Sequence, residues 1–160
     1  MCIKNWFKNL FNPINRLSDD DRIRKALQLV SPKVIDAFEY RSVKIKWDSS
    51  LASNVFACRA VDSFGNNFIL INYRYKRAPI EQIACLLVHE SCHVKDKADF
   101  EEEVYATSEE RLAWRQLKKD ITYEETPLYL RLEKISKMSY NEVMSYIEES
   151  NFYEEVLKVV

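Results

Sequence analysis

The residues with the clearest chemical potential are two histidines and the glutamate beside the first of them, in the stretch His89-Glu90-Ser91-Cys92-His93. These are the only two histidines in the chain. On an α-helix, side chains four positions apart lie on the same face, so both imidazoles can bind one tetrahedral zinc ion. Glu90 then stands where a carboxylate can take a proton from a water molecule on the metal. The spacing predicts a zinc site with His89 and His93 as ligands and Glu90 as general base.

Such a zinc ion needs a third protein ligand, and the chain offers no third histidine for it. We expect a carboxylate, because Cys92 points about 100° away from His93 around the helix. Asp99 follows His93 by six residues, but Asp96 stands where that ligand pattern requires a glycine. We therefore interpret Asp99 as the N-cap of the next helix.

The remaining candidates are the three glutamates at the start of that helix, and we choose Glu103 among them. Its helical face also carries Ala106, a small residue that lets two helices approach closely, together with Glu110, Ala113, Trp114 and Leu117. Glu101 is the main rival, on a face with Val104, Tyr105 and Leu112. Glu102 is expected to take a capping role opposite Asp99. The acidic run would also suit a helix N-terminus without any metal, because it complements the helix dipole.

The elements that must position these residues follow from hydrophobic periodicity. A helix is predicted from Pro79 onward, apolar nearly all round and therefore buried, and it ends in the motif. A second long helix is predicted over about 100–119. Before them, alternation at Val43, Ile45 and Trp47 predicts a strand. Residues 54–61 and 67–74 predict an antiparallel hairpin, with Gly65 and Asn66 in its turn.

Further helices are predicted toward both ends of the chain. Residues 3–11 form a short basic amphipathic stripe, which can pack on its own domain, on a partner or on a membrane surface. Two helices are predicted to begin at Ser18, with Asp21 three positions later, and at Ser31-Pro32. Three more are predicted to begin at Pro127, at Ser139 with Glu142, and at Asn151 with Glu154. The fold class expected is α+β: a small antiparallel sheet or hairpin packed on the motif helix and the following long helix, with additional N- and C-terminal helices. Residues 1–17 are interpreted as an N-terminal amphipathic helix or appendage. Residues 18–160 would be one domain, with a core at 43–119 and a helical part at 120–160.

Composition excludes several classes of protein. The 24 basic and 25 acidic residues give a net charge of −1, which argues against nucleic acid as a partner. One glycine in 160 residues excludes phosphate loops and dinucleotide-binding folds. The four cysteines form no C-x-x-C pair, and we expect no disulfide framework. No apolar run is long enough for a membrane span, and the N-terminus lacks a signal-peptide pattern, so a cytoplasmic location is expected.

Over residues 55–117 the chain resembles the gluzincin metallopeptidases, and most closely their small versions, the minigluzincins. The resemblance consists of a strand at 68–73, the helix with the motif at 89–93, and a helix reading Glu103-Val104-Tyr105-Ala106. It implies His89, His93 and Glu103 as zinc ligands, Glu90 as general base, and a metallopeptidase-like domain with an edge strand beside the active helix.

One departure from the family concerns the residue after that alanine. The family often has Asp or Asn there, orienting a ligand histidine, whereas this chain has Thr107. Thr107, Asp96 or Glu110 could take that role. Glu103 follows His93 by only ten positions, which also demands a tight turn through 95–98.

The function expected is a zinc-dependent metallopeptidase that hydrolyses a peptide or protein substrate, with the strand at 68–73 as an edge strand that holds the peptide by strand addition. The alternative is a non-catalytic zinc-binding protein-interaction domain of the same fold, which should close the metal site with a fourth protein ligand.

Overall fold

The computed structural model describes residues 12–95 and 98–150. Over these residues the chain forms seven α-helices, a short 3-10 helix at Tyr73–Tyr75 and a three-stranded sheet. The helices are α1 (Pro13–Leu17), α2 (Asp21–Leu27), α3 (Pro32–Tyr40), α4 (Ile80–Cys92), α5 (Phe100–Leu117), α6 (Pro127–Ser136) and α7 (Tyr140–Glu149). The strands are β1 (Lys44–Asp48), β2 (Ala57–Val61) and β3 (Asn67–Asn72). The α+β class with a small sheet is confirmed.

The sheet has the order β1-β3-β2. β2 and β3 form the antiparallel hairpin that the sequence predicts, with Arg59 opposite Ile69. β1 pairs with β3 in parallel, with Ile45 opposite Ile69, so the sheet is mixed rather than purely antiparallel. β3 therefore lies in the centre of the sheet. The expectation that the strand at 68–73 is an edge strand was wrong, because β1 occupies its second side.

The turn of the hairpin depends on Asp62 and Gly65. The Asp62 carboxylate accepts hydrogen bonds from the backbone N–H groups of Phe64 and Asn66, each at 2.9 Å. The Gly65 N–H donates to the Asp62 carbonyl at 3.0 Å. Gly65 has φ +82°, a conformation that residues with a Cβ rarely adopt. The single glycine of the chain thus serves the turn of the hairpin.

The main core forms where α4 is covered by other elements. Ile83, Ala84 and Leu87 of α4 are fully buried, as the all-round apolar pattern predicts. α2 and α3 pack against one part of this helix, and α5 packs against it more extensively than any other described helix. A smaller apolar cluster of Val104, Val143 and Ile147 joins α5 to α7. The motif helix is therefore held from several sides.

The helix caps agree with the sequence at most positions. The Asp99 carboxylate accepts a hydrogen bond from the Glu102 N–H at 3.0 Å and begins α5. Ser139 and Glu142 form the predicted capping box of α7. At α2 the prediction was wrong, because Asp20 rather than Ser18 is the cap, accepting from the N–H groups of Arg22 and Ile23. Ser18 instead accepts a hydrogen bond from the Asp20 N–H at 3.2 Å.

Two predicted helices lie outside the described residues, at 3–11 and after Asn151. Leu17 of α1 is buried in the main core. Cys58, Cys85 and Cys92 are free thiols. None of the described helices combines the length and apolar character that crossing a membrane requires.

Replacing Gly65 with alanine should lower the free energy of unfolding by about 1 kcal/mol, because alanine is strained at positive φ. No atom lies within 4 Å of the added Cβ, so steric overlap adds nothing to that cost. Urea unfolding of Gly65→Ala and of Ser63→Ala, an exposed neighbour in the same turn, measures the difference. Equal stability of the two variants would contradict this explanation.

Candidate metal centre

Two histidines and one glutamate meet where the end of α4 faces the start of α5. The Nε2 atoms of His89 and His93 lie 3.6 and 3.3 Å from the two carboxylate oxygens of Glu103. Two atoms bound to one zinc ion at tetrahedral angles lie about 3.4 Å apart. One potential ligand atom from each side chain lies within 4.8 Å of the other two. The chemistry and spacing of these three donors therefore fit a tetrahedral metal ion.

The histidines occupy the last turn of α4 and its C-cap. α4 ends at Cys92, and His93 is the C-cap residue in extended conformation. The two imidazole rings lie with their centroids 4.9 Å apart and their planes at 68°. Each side chain is 11% exposed, so both rings are largely buried and keep a small area in contact with solvent.

Among the three neighbouring glutamates, the structure brings Glu103 to both imidazole Nε2 atoms. The side chain of Glu103 is 15% exposed. Ala106, one turn later on α5, is fully buried, as the small-residue argument expects. Glu101 is exposed. The Asp99 carboxylate accepts the capping hydrogen bond from the Glu102 N–H.

Glu102 holds the chain that leaves the motif helix. One carboxylate oxygen accepts hydrogen bonds from the N–H groups of Val94 and Lys95, at 2.7 and 3.2 Å. The other oxygen lies 3.5 Å from His93 Nδ1, the ring nitrogen that faces away from Glu103. The two atoms do not form a hydrogen bond as placed, but the negative charge of a carboxylate 3.5 Å away favours a proton on Nδ1, which leaves Nε2 with its lone pair.

Two arginines from outside the helix pair tether the same stretch of backbone. Arg41, just after α3, donates to the carbonyl oxygens of Ser91, at 2.8 Å, and of His93. Arg59 of β2 donates to the Lys95 carbonyl at 3.3 Å. Carbonyl groups at a helix C-terminus have no hydrogen-bond donors within the helix, and the guanidinium of Arg41 provides the donors here. These bonds fix His93 although it lies just beyond the helix.

Glu110 supports the other histidine. Its carboxylate lies 3.1 Å from His89 Nδ1 and also pairs with the guanidinium of Arg131 on α6. Burial alone raises the pKa of Glu110, but the Arg131 charge and the bond with His89 outweigh it and lower the pKa to about 2. Glu110 thus takes the role for which the sequence offered Thr107, Asp96 or Glu110. Thr107 is buried and its hydroxyl has no hydrogen-bond partner, and Asp96 lies outside the described residues.

A sequence signal exists for Glu110 but not for Arg131. Glu110 follows Glu103 by seven residues, on the same face of α5. Arg131 lies on another helix, and no local pattern connects it to the motif. Tertiary packing alone brings it to Glu110.

Glu90 is buried beside the ligand cluster. Burial raises the pKa of its carboxyl to about 7; the charges of Glu103 and Glu110 add to that increase, and His89 opposes it. A carboxyl group with a pKa near neutrality can both accept and return a proton at physiological pH. A dication at the cluster would favour the ionised, proton-accepting form.

Comparison of the chain with protein-family models, with curated proteins and with solved structures gave no match.

Replacing Glu110 with glutamine should destabilise the protein by about 3 kcal/mol near neutral pH, since a pKa lowered from 4.5 to about 2 corresponds to about that energy. A lowered folded-state pKa contributes stability above the ordinary carboxyl pKa and loses it on acidification. The difference between wild type and variant should therefore be full above pH 4.5 and shrink as the pH falls toward 2. Urea unfolding with a chelator present measures it, and Glu109→Gln on the same helix is the control. A difference independent of pH would contradict the assignment.

Replacing Glu102 with glutamine should weaken binding of Zn²⁺ by about 10- to 100-fold. The amide must either turn its NH₂ group toward the N–H donors of Val94 and Lys95, or donate to His93 Nδ1 and move the ring proton to Nε2. Competition with a zinc chelator measures the affinity, and Glu101→Gln, exposed on the same turn, should leave it unchanged. Equal affinity in both variants would remove Glu102 from this role.

Proposed function

We propose that this protein is a zinc-dependent metallopeptidase, with His89, His93 and Glu103 as ligands and Glu90 as general base. The observation that carries the proposal is the convergence of these three donors at spacings that suit one metal ion, with Glu90 buried next to them. The order of the residues, two histidines on one helix and a glutamate on the next, also agrees with the resemblance to gluzincins.

The number of donors favours a catalytic site over a purely structural one. Within residues 12–95 and 98–150, the candidate cluster contains three ligand side chains. Structural zinc sites are closed by four protein ligands, whereas catalytic sites use three and keep one position open. A purely structural site also gives no reason for a buried carboxyl at Glu90, which costs free energy without acting as a ligand.

Each residue then has a defined role in hydrolysis. The metal, when bound, would polarise the scissile carbonyl and increase the acidity of a water molecule. Glu90 takes a proton from that water and passes it to the leaving amine. Glu110 and Glu102 keep the Nε2 atoms of His89 and His93 directed at the ligand position.

The peptide is expected to add to the sheet at β2 rather than β3. β3 is paired on both sides, whereas β2 pairs with β3 on one side and packs against α4. Arg59 of β2 donates a hydrogen bond to the carbonyl of Lys95, two residues after His93, so this strand lies next to the connection that leaves the motif helix. An extended peptide at the outer edge of β2 would run past the candidate metal site.

Replacing Glu90 with glutamine should retain bound metal, because the three ligands stay in place, and should lower the hydrolysis rate by at least about 100-fold. Metal content by elemental analysis and cleavage of fluorogenic casein measure the two properties on the same samples. Glu101→Gln, exposed and away from the ligands, is the matched control. Hydrolysis by Glu90→Gln at the wild-type rate would reject the mechanism.

Stoichiometric zinc in the wild-type protein without cleavage of casein or of a random peptide library would instead support the non-catalytic alternative. In that case, a fourth protein ligand should appear in the metal-bound structure.

A further inference from the structure

A second feature of the helix pair is an apolar groove on a side that carries no metal ligands. It has a volume of about 590 Å³ and lies between α3, α4 and α5. Its lining includes Val34, Val88, Cys92, Tyr105 and Leu112. Tyr105 and Leu112 are exposed, as is Leu29 at the groove margin. Several large apolar side chains at one exposed site are typical of a docking surface.

The groove and the candidate metal site use different faces of both helices. On α4, Val88 and Cys92 each precede a ligand histidine by one residue, about 100° around the helix. On α5, Tyr105 and Leu112 each follow an acidic site residue by two positions, about 200° around. A segment bound in the groove would therefore leave the ligand side of the helix pair open.

The groove continues toward the point where the described chain begins. A smaller hollow of about 350 Å³ is lined by Pro13, Ile14, Leu27 and Ile35, and it shares Val30 with the larger groove. The eleven residues that precede Asn12 are therefore attached at the entrance of this continuous apolar surface. Eleven residues span about 16 Å as a helix and more when extended.

Residues 1–11 contain the apolar side chains that could fill these hollows and positive charges that could face their acidic residues. Its five large apolar side chains follow helical spacing: Ile3, Trp6, Phe7, Leu10 and Phe11. Lys4 and Lys8 are its charged side chains, and it contains no acidic residue. The two hollows carry Glu109 and Asp36 at their margins, with Lys33 as a basic neighbour.

We propose that residues 1–11 dock in the groove between α3, α4 and α5, as an intramolecular cover for the outer faces of the two helices that carry the metal ligands. This inference is independent of metal binding and of hydrolysis. It places the segment beside the site rather than across it, so the segment does not block access to Glu90 and its neighbours.

Photo-crosslinking of the full chain tests the proposal. Benzophenone maleimide is attached at Cys2, which is favoured because burial raises the pKa of the Cys58, Cys85 and Cys92 thiols, that of Cys92 to about 11. Peptide mapping verifies the site of labelling, and Cys2→Ser is the negative control. After irradiation, adducts should lie within the same chain on groove-lining segments of α3, α4 and α5.

A matched pair of substitutions distinguishes docking from random contact by a tether. Leu112→Glu in the groove should reduce groove adducts by about tenfold, because a buried carboxylate opposes apolar packing. Leu130→Glu, exposed on α6 and outside the groove, should leave them unchanged. Trp6→Glu changes the segment instead of the groove and should reproduce the loss even if Leu112→Glu impairs folding.

Three outcomes would overturn the proposal. The first is adducts spread over the sheet and the ligand side of the helices. The second is adducts that Leu112→Glu and Trp6→Glu leave unchanged. The third is adducts formed only between two chains, which would assign the groove to a second copy.

Discussion

The structure around the two histidines depends on holding several carboxyl groups close together in a largely buried position. Glu103 and Glu110 both approach His89, while Glu90 is buried beside it. Arg131 pairs with Glu110. Buried ionised groups are costly unless they are paired, so the apolar packing of α4 on α5 must hold these carboxylates together. Burial is the main cause of the raised pKa of Glu90; the charges of Glu103 and Glu110 add to it, and those of His89 and Arg131 oppose it. A divalent cation at the cluster would be attracted by the neighbouring carboxylates, which is a physical reason that the cluster could hold one.

The position of His93 shows how a short connection can hold a side chain in a defined place beside the next helix. Because α4 ends at Cys92, the backbone of His93 is not held by helical hydrogen bonds beyond it. Arg41, just after α3, instead holds the His93 carbonyl, and Glu102 of α5 holds the N–H group of the next residue, Val94. Glu102 directly precedes the candidate ligand Glu103 in sequence, so the residue that holds the backbone next to His93 is on the same turn as Glu103. The tight turn therefore connects α4 to α5 through side-chain hydrogen bonds as well as through the backbone.

The features that the sequence predicted correctly are those that local patterns determine. The Pro79 helix, the hairpin around Gly65 and the Asp99 cap each depend on residues close in the chain. The choice of Glu103 also used local information, since Ala106 on the same helical face is buried; the structure places Glu103 next to both imidazoles, and its role as a metal ligand stays a prediction. The parallel pairing of β1 with β3 left no such signal, because parallel strands are joined by long connections rather than a short turn. Arg131 was missed for the same reason, since only tertiary packing brings it to Glu110. The error at Ser18 was local, because Asp20 stands closer to α2 and offers a carboxylate to two N–H groups.

The central position of β3 changes which part of the molecule can meet a peptide. With β1 on its second side, β3 has no free backbone groups along an edge, so strand addition must use β2 or the outer side of β1. β2 is the strand that packs on α4 and sends Arg59 to the Lys95 carbonyl next to the candidate site. The hairpin thus presents an edge strand and steadies the connection after the motif helix. A peptide on the β2 side and a segment in the groove would contact different faces of the helix pair. The proposed binding of a peptide and the proposed docking of residues 1–11 therefore need not compete for the same surface.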